Sequence, residues 1–345
     1  MRESDSLKKA IQILRSYRIE PYFVEEMGNI QKVYSNNGVY ALKKINPQHG
    51  MDFIRHVQTL YQKGYNRIVP IYPTLDGRYA VLHENSLYYL MPWLSSEDKR
   101  DPFESQQQLF RELARLHSIS AREIKVNKEE RTAHYEKTKA ELEQDEEFLD
   151  ELLEACERKI YMSPFELTFC MYYHTAKQAL FFSKQKLNEW YNETKDKEKA
   201  RIVIVHGKMA SDHFVFDEKG YGYFINFEES SIGAPTHDLL PFLARSLKGY
   251  LKQSEDIFEW LYTYFKYFPL KDDEMMLFLS YLAHPVNLLK TAQRYFHEGK
   301  NRNERKAVQK LQREFWYLKN SEYIVFRIDE IERQKKQAEA AQQDS

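Results

Sequence analysis

The segment that most constrains the fold covers residues 202–230 and reads IVIVHGKMASDHFVFDEKGYGYFINFEES. Its first four residues are β-branched, which is typical of a strand buried on both faces, and this run stops abruptly at His206-Gly207. Two short apolar runs at 214–216 and 221–225 then flank a polar turn, a pattern that predicts a β-hairpin. The segment therefore predicts a strand, a polar loop and a hairpin in direct succession.

The first third of the chain has the pattern of a small antiparallel sheet with one helix. Turn residues at Gly28 and at 36–38 separate the first apolar runs. Apolar residues at helical spacing predict a helix over residues 52–63. Pro92 ends the last strand, so a boundary between two lobes is predicted within residues 92–103. The predicted strands cover residues 22–24, 31–34, 38–45, 78–82 and 87–91.

The remainder of the chain has mainly helical periodicity. Ser105 and Gln108 match a capping box, which predicts that a helix starts at Ser105. Residues 141–154 hold eight acidic residues and no basic one but keep an apolar stripe. This pattern indicates either a solvated helical face or an acidic docking surface. Further helices are predicted over residues 165–191 and from Asp238 onward.

These patterns predict an α+β protein with a sheet-containing N-terminal lobe over residues 1–94. A helical C-terminal lobe over residues 95–333 would carry the strand, loop and hairpin. The last residues, 334–345, are polar and are expected to form a disordered tail.

Composition excludes several classes of function. The 51 Lys and Arg residues nearly balance the 52 Asp and Glu residues, so neither nucleic acid nor an anionic membrane is an expected partner. No run reaches the roughly 18 apolar residues of a spanning helix, and the N-terminus lacks a signal-peptide core, so synthesis in the cytoplasm is expected.

Cys156 and Cys170 lack the spacing of a disulfide framework or a zinc site and are interpreted as small buried side chains.

The loop and hairpin resemble the catalytic centre of the kinase-like family of aminoglycoside and choline phosphotransferases. That family has the pattern H-G-D-x-x-x-x-N followed by I-D-F-D/E. Here the residues are His206-Gly207-Lys208, then His213, and later Ile225-Asn226-Phe227-Glu228. The segment GAPTHDL at 233–239 resembles the family's G-x-P-x-x-D-L, which implies that Asp238 supports the catalytic loop.

Other segments resemble this family in the same order along the chain. The stretch YALK at 40–43 resembles the V-A-I-K strand, which makes Lys43 the expected nucleotide-phosphate contact. Residues 90–93 resemble the hinge between lobes, and residues 109–118 resemble the helix before the catalytic loop. The resemblance spans roughly residues 20 to 320 and implies a protein-kinase-like fold with a small antiparallel-sheet lobe and a mainly helical lobe.

Within this superfamily, the YALKK strand, the 70–94 segment and the altered HGK loop resemble the CotS-type family of endospore coat-associated proteins. This resemblance implies assembly into the spore coat after synthesis in the cytoplasm. It also implies that the partners are other spore coat proteins.

The residues that perform phosphoryl transfer are exchanged in this chain. The catalytic Asp, the loop Asn and the metal-binding Asp of the family correspond to Lys208, His213 and Asn226. A lysine is cationic at neutral pH and does not serve as the base, and magnesium prefers oxygen ligands to the nitrogen of a histidine. Only Glu228 is a carboxylate at an expected ligand position, and Asp52 is a poor partner for Lys43. These departures favour a catalytically inactive pseudokinase without a metal or other cofactor.

Two alternatives involve nucleotide. In the first, Asp212 acts as the base and Glu228 with Glu229 holds one metal, so that ATP and magnesium serve phosphorylation of a small-molecule substrate. In the second, Lys43 and the hinge bind a nucleotide without transferring phosphate. Lys208 would either neutralise the carboxylates of the loop in place of a metal or bind an anionic group of a partner.

Overall fold

The computed structural model describes residues 2–49, 51–94, 101–249, 255–297 and 303–343. Contacts between Cα atoms divide the chain into two compact units. The first unit joins Met1–Ala121 with Val203–Asp238, and the second joins Arg122–Ile202 with Leu239–Ser345. Their extents differ from the lobes 1–94 and 95–333, which remain predictions. The predicted lobe boundary includes residues 95–100, which lie outside the described residues.

The first unit contains the strands β1 Pro21–Met27, β2 Ile30–Ser35, β3 Gly38–Ile45, β4 Val81–His83 and β5 Ser86–Pro92, and the helices α1 Arg2–Leu14, α2 Asp52–Gln62 and α3 Pro102–Ser120. The strands form an antiparallel sheet with the order β1-β2-β3-β5-β4. Both predicted turns are present, because Gly28 and Gly38 adopt positive φ angles of 63° and 132°. Helix α1 packs on this sheet and contributes Ala10, Ile13 and Leu14 to its core.

The prediction that α3 begins at Ser105 was wrong. The helix begins at Pro102, and the side chain of Asp101 caps it by accepting a hydrogen bond from the Phe103 N–H at 3.0 Å. Proline suits the first helical position because it has no N–H to leave unpaired there. Two successive capping signals exist in this sequence, and the first one determines the start.

The strand, loop and hairpin of the 202–230 segment are confirmed. Strand β7 (Lys199–Val205) ends in three consecutive buried residues, and β8 (Phe214–Phe216) pairs with β9 (Gly222–Phe224). Strand β10 (Ser231–Gly233) then pairs with residues 203–205 of β7. In the second unit, residues 199–202 of β7 pair with β6 (Arg122–Lys125), a short exposed strand that the sequence analysis missed.

The second unit is mainly helical. A capping box of Ser163 and Glu166 starts α5, and Ser183 of α5 exchanges buried hydrogen bonds with Ser280 of α8. Among the described residues, no helix is long and apolar enough to cross a membrane. The helices are α4 Lys128–Glu157, α5 Pro164–Thr194, α6 Thr236–Ser246, whose first residues belong to the first unit, α7 Glu255–Tyr267, α8 Asp272–Ala283, α9 Val286–His297 and α10 Glu304–Gln343. Helix α10 covers most of the segment predicted as a tail.

The acidic segment 141–154 lies within α4, and several of its carboxylates have basic partners. Glu146 and Asp150 are paired with Lys177 of α5 at 3.0 and 2.6 Å, and Glu146 also contacts Lys184 at 2.5 Å. Much of the negative charge on this face is therefore balanced within the unit.

Candidate functional site

The loop after β7 makes a close backbone approach that requires glycine. Gly207 has a φ of 81°, and a Cβ atom at this position would lie 2.1 Å from the carbonyl oxygen of Glu229. Any side chain here would therefore displace the backbone of the 227–229 turn. Gly207 brings the loop against the segment that follows the hairpin.

Asp238 supports this loop from the first turn of α6. Its carboxylate accepts hydrogen bonds from the N–H groups of His206 at 2.7 Å and Gly207 at 2.8 Å, and from the Nε2 of His117 at 3.1 Å. Burial by itself raises the pKa of this carboxyl group, but the hydrogen bonds that it accepts, above all the one from His117, outweigh burial and lower the pKa below its ordinary value. Asp238 is therefore an ionised anchor for the loop backbone.

Two histidines connect the loop to the hairpin through backbone atoms. The Nε2 of His206 donates to the carbonyl of Ile225 at 2.7 Å, and its Nδ1 accepts from the N–H of Lys208 at 3.3 Å. Burial lowers the pKa of His206, which favours the neutral ring that this pattern requires. His213 donates through Nδ1 to the carbonyl of Lys208 at 2.7 Å. Both rings brace the loop.

Lys43 of β3 is held in a buried polar network. Its ammonium group donates to the Oδ1 of Asn226 at 2.5 Å and pairs with the Oε1 of Glu228 at 2.5 Å. The hydroxyl of Tyr89 donates to the same carboxylate oxygen. Asn226 adopts a left-handed conformation with a φ of 67° just before the 227–229 turn, which lets Asn226 and Glu228 both reach Lys43.

Burial and charge act together on this pair. The side chains of Lys43 and Glu228 are only 12% and 10% exposed. Burial by itself raises the pKa of Glu228, but the charge and hydrogen bond of Lys43 outweigh it and lower the pKa below the usual 4.5. Burial lowers the pKa of Lys43, and the attraction of Glu228 opposes that effect. The geometry therefore describes a buried ion pair.

The remaining residues singled out in the sequence also lie in the first unit, and Lys208 belongs to the same loop, where its backbone bonds to His206 and His213. The side chains of Lys208, Asp212 and Glu229 are exposed. Asp52 is 86% exposed and lies 3.9 Å from Arg55, so it does not pair with Lys43. The cation that pairs with Glu228 is Lys43.

Three contributors were missed in the sequence. Tyr89 and His117 fall within a predicted strand and a predicted helix, and neither was singled out as a site residue. His56 of α2 contacts the hydroxyl of Ser230 through Nδ1 at 3.0 Å and so anchors the helix that follows β3. A polar residue on an otherwise apolar helix face was the only available signal for His56 and His117.

An apolar cavity of about 390 Å³ lies beside these elements within the first unit. Residues 91–93 of the hinge-like segment 90–93 contribute to its wall, and Asp212 lies on its lining. Its apolar lining includes Ile30, Ala41, Val69, Met91, Trp93 and Phe214.

The donor set does not fit a magnesium ion. The carboxylate of Glu228 is neutralised by Lys43, the Oδ1 of Asn226 is bonded to the same ammonium group, and the Nδ1 of His213 is bonded to a carbonyl. Among the residues that the structure describes, no three His, Cys, Asp or Glu side chains form a group that could hold a metal. Hard divalent cations require several uncompensated oxygens, which this arrangement does not offer.

A comparison with protein families matches residues 28–259 to the phosphotransferase enzyme family. This chain belongs to that family. No curated protein matches this phosphotransferase-family chain.

Solved structures of low sequence identity share the fold of this family member. An aminoglycoside phosphotransferase from Alicyclobacillus acidocaldarius has a TM-score of 0.66 and 14% identity, over 92% of this chain and 96% of that one. An AMP-bound spectinomycin phosphotransferase, APH(9)-Ia, has a TM-score of 0.55 and 11% identity, over 94% of this chain and 98% of that one. The predicted kinase-like α+β fold, with an antiparallel-sheet N-terminal lobe and a helical C-terminal part, is confirmed.

Replacement of Gly207 tests the close approach in the loop. Gly207→Ala is expected to destabilise the protein by about 3 kcal/mol, because overpacking adds to the cost of the left-handed backbone. Gly77 has a nearly identical φ of 80°, but a Cβ added there would meet no atom within 4 Å, so Gly77→Ala is the matched control. The control is expected to lose only about 1 kcal/mol. If denaturant unfolding showed the same loss in the free energy of unfolding for both variants, the close approach of Gly207 to the carbonyl of Glu229 would be contradicted.

A double-mutant cycle tests the buried ion pair. Glu228→Gln and Lys43→Met are each expected to cost about 3 kcal/mol, with coupling of at least about 1 kcal/mol in the double variant. Because the pKa of Glu228 is lowered, its contribution is present above its ordinary pKa and is lost as the pH falls through the folded value. Glu228→Gln should therefore flatten the loss of stability in acid.

The exposed pair of Lys9 and Glu84 is the control for this cycle, since those side chains are 28% and 67% exposed. Lys9→Met and Glu84→Gln should show coupling below about 1 kcal/mol. Additive effects of the Lys43 and Glu228 variants on the free energy of unfolding would show that the pair does not contribute.

Proposed function

We propose that this phosphotransferase-family protein is a catalytically inactive pseudokinase that serves as a structural or docking component of the bacterial spore coat. The observation that carries the inactive part is the engagement of Lys43 by Glu228 and Asn226. The lysine at the phosphate-contacting position of the family is thereby neutralised by a carboxylate at a position where the family holds metal.

Phosphoryl transfer depends on positioning and on charge that compensates the phosphates. In this chain the ammonium group of Lys43 faces a full negative charge and an amide oxygen, so binding phosphate there requires breaking a buried pair. The position of the catalytic base holds the exposed cation Lys208. The pairing of Lys43 and the cation at the position of the base both oppose transfer of a phosphoryl group.

The assignment to the spore coat rests on sequence resemblance. The YALKK strand, the segment of residues 70–94 and the HGK loop resemble the coat-associated protein YutH of the CotS type. The proposal places the protein in the cytoplasm during synthesis and in the coat after assembly, with other coat proteins as its partners. Neither a metal nor another cofactor takes part.

One observation favours the alternative, an ATP-dependent small-molecule phosphotransferase. The apolar cavity lies next to the hinge-like residues, and the carboxylate of Asp212 is on its lining. A related solved protein, the spectinomycin phosphotransferase APH(9)-Ia, is described in complex with ADP and spectinomycin. Under this alternative Asp212 acts as the base, and the Lys43 and Glu228 pair opens when ATP and magnesium bind.

Calorimetric titration with ATP separates these functions. The native protein is expected to show no saturable heat and no thermal stabilisation, with or without magnesium, because Lys43 and Glu228 are already paired. The triple variant Lys208→Asp/His213→Asn/Asn226→Asp restores the family residues and is expected to gain magnesium-dependent binding. Tight magnesium-dependent binding by the native protein would overturn the pseudokinase proposal, and phosphate transfer to a hydroxylated substrate would then establish the alternative.

Fractionation of purified spores tests the location. The protein is expected in the coat extract of mature spores and not in the core fraction, where a cytoplasmic enzyme serves as the marker. Recovery only from the core, or only from growing cells, would contradict the coat assignment and leave the titration result unaffected.

A further inference from the structure

The second unit contains a pocket of about 230 Å³ between α9 and α10 with a lining rich in positive charge. Arg294 of α9 and Lys306 and Lys310 of α10 form its basic wall. Thr291, Tyr295 and Asn303 also line it. No carboxylate belongs to the described lining, so we refer to these residues as the α9–α10 basic pocket.

The three cations of the pocket have no carboxylate partner among the described residues, which contrasts with other parts of the same unit. Lys177, Lys184 and Arg201 each contact a glutamate or aspartate. Among the described residues, the positive charge of the α9–α10 basic pocket is therefore not balanced by an ion pair.

The acidic residue nearest to these lysines in sequence is held by groups other than the lysines. Glu304 starts α10, but its carboxylate accepts hydrogen bonds from the N–H of Phe165 at 2.8 Å and from the hydroxyl of Tyr295 at 2.8 Å. These bonds hold it in the interior contact between α5 and α10. Glu304 thus stabilises the base of the pocket.

The floor of the pocket is rigid. Tyr295 is buried, its ring stacks on Phe165 with centroids 3.7 Å apart, and its hydroxyl also contacts the hydroxyl of Ser163 at 2.8 Å. Thr291 is likewise buried and donates to the carbonyl of Asn287 at 2.8 Å. A binding group placed here meets a fixed surface.

The placement of the cations favours an anion over a neutral ligand. Lys306 and Lys310 are four residues apart, so they share one face of α10, where like charges repel unless an anion lies between them. Arg294 adds a planar group with several donors from the neighbouring helix. The first turn of α10 also contributes the positive end of a long helix to the local potential.

We propose that the α9–α10 basic pocket binds a phosphate-type oxyanion, either inorganic phosphate or the phosphate of a phosphorylated polypeptide. Lysine and arginine make charge-assisted hydrogen bonds to phosphate oxygens, and three such residues line this pocket. The absence of carboxylates from the described lining disfavours metal ions and polyamines. This site shares no residue with the Lys43 network and does not depend on the proposed function.

Titration of the full chain at low salt tests this site with two probes. One is inorganic phosphate, and the other is a phosphoserine peptide compared with its unphosphorylated form. Saturable binding of inorganic phosphate alone identifies the free ion as the ligand. Preferential binding of the phosphopeptide identifies a phosphorylated chain. Binding of neither probe would overturn the proposal.

Charge-matched variants locate the binding. Lys306→Gln/Lys310→Gln is expected to weaken the affinity at least about tenfold, the loss expected for charge-assisted hydrogen bonds. Arg305→Gln/Arg313→Gln removes the same charge from exposed positions of α10 outside the described lining, and it should change the affinity less than about twofold. Lys306→Arg/Lys310→Arg should retain binding. If Lys306→Gln/Lys310→Gln and Arg305→Gln/Arg313→Gln weakened the affinity equally, the attraction would be non-specific, and the proposed binding at the pocket would be refuted.

Discussion

The buried carboxylate of Asp238 is the interaction on which the loop of the first unit depends. It satisfies the N–H groups of His206 and Gly207 and also contacts His117 of α3. An ionised group in this buried position is stable because three donors bond to its two oxygens. Through it, the end of β7, the helix α3 and the start of α6 are held in one arrangement.

Because the loop is held in this arrangement, the residue types exchanged in the loop and hairpin affect the surroundings of Lys43. The chain has the fold of the phosphotransferase family, while by sequence resemblance the residues that correspond to the family's catalytic Asp, loop Asn and metal-binding Asp are a lysine, a histidine and an asparagine. With Asn226 in a left-handed conformation, Glu228 is brought to Lys43 and takes the role of its counter-ion. Lys43 is thus paired within the protein itself, which is the physical basis of the proposed loss of catalysis.

Much of the fold was predictable from local signals. The β-branched run before His206, the turn glycines and the hairpin pattern gave strands close to those observed, because each depends on residues adjacent in sequence. Helix α1 and strand β6 were missed, and the start of α3 was placed three residues late. Strand β6 is polar and fully exposed, so only its pairing with β7 makes it a strand.

The sequence by itself determined the family resemblance, the order of strand, loop and hairpin, and the loss of the usual catalytic residue types. Only the tertiary structure determined which charged side chains form ion pairs. Lys43 and Glu228 are far apart in sequence, and the sequence pattern assigned Glu228 to a metal-ligand position rather than to Lys43. The same holds for the α9–α10 basic pocket, where Glu304 is adjacent to the lysines in sequence but is directed toward Phe165 and Tyr295. Ion pairing depends on distance and burial, and both are properties of packing rather than of composition.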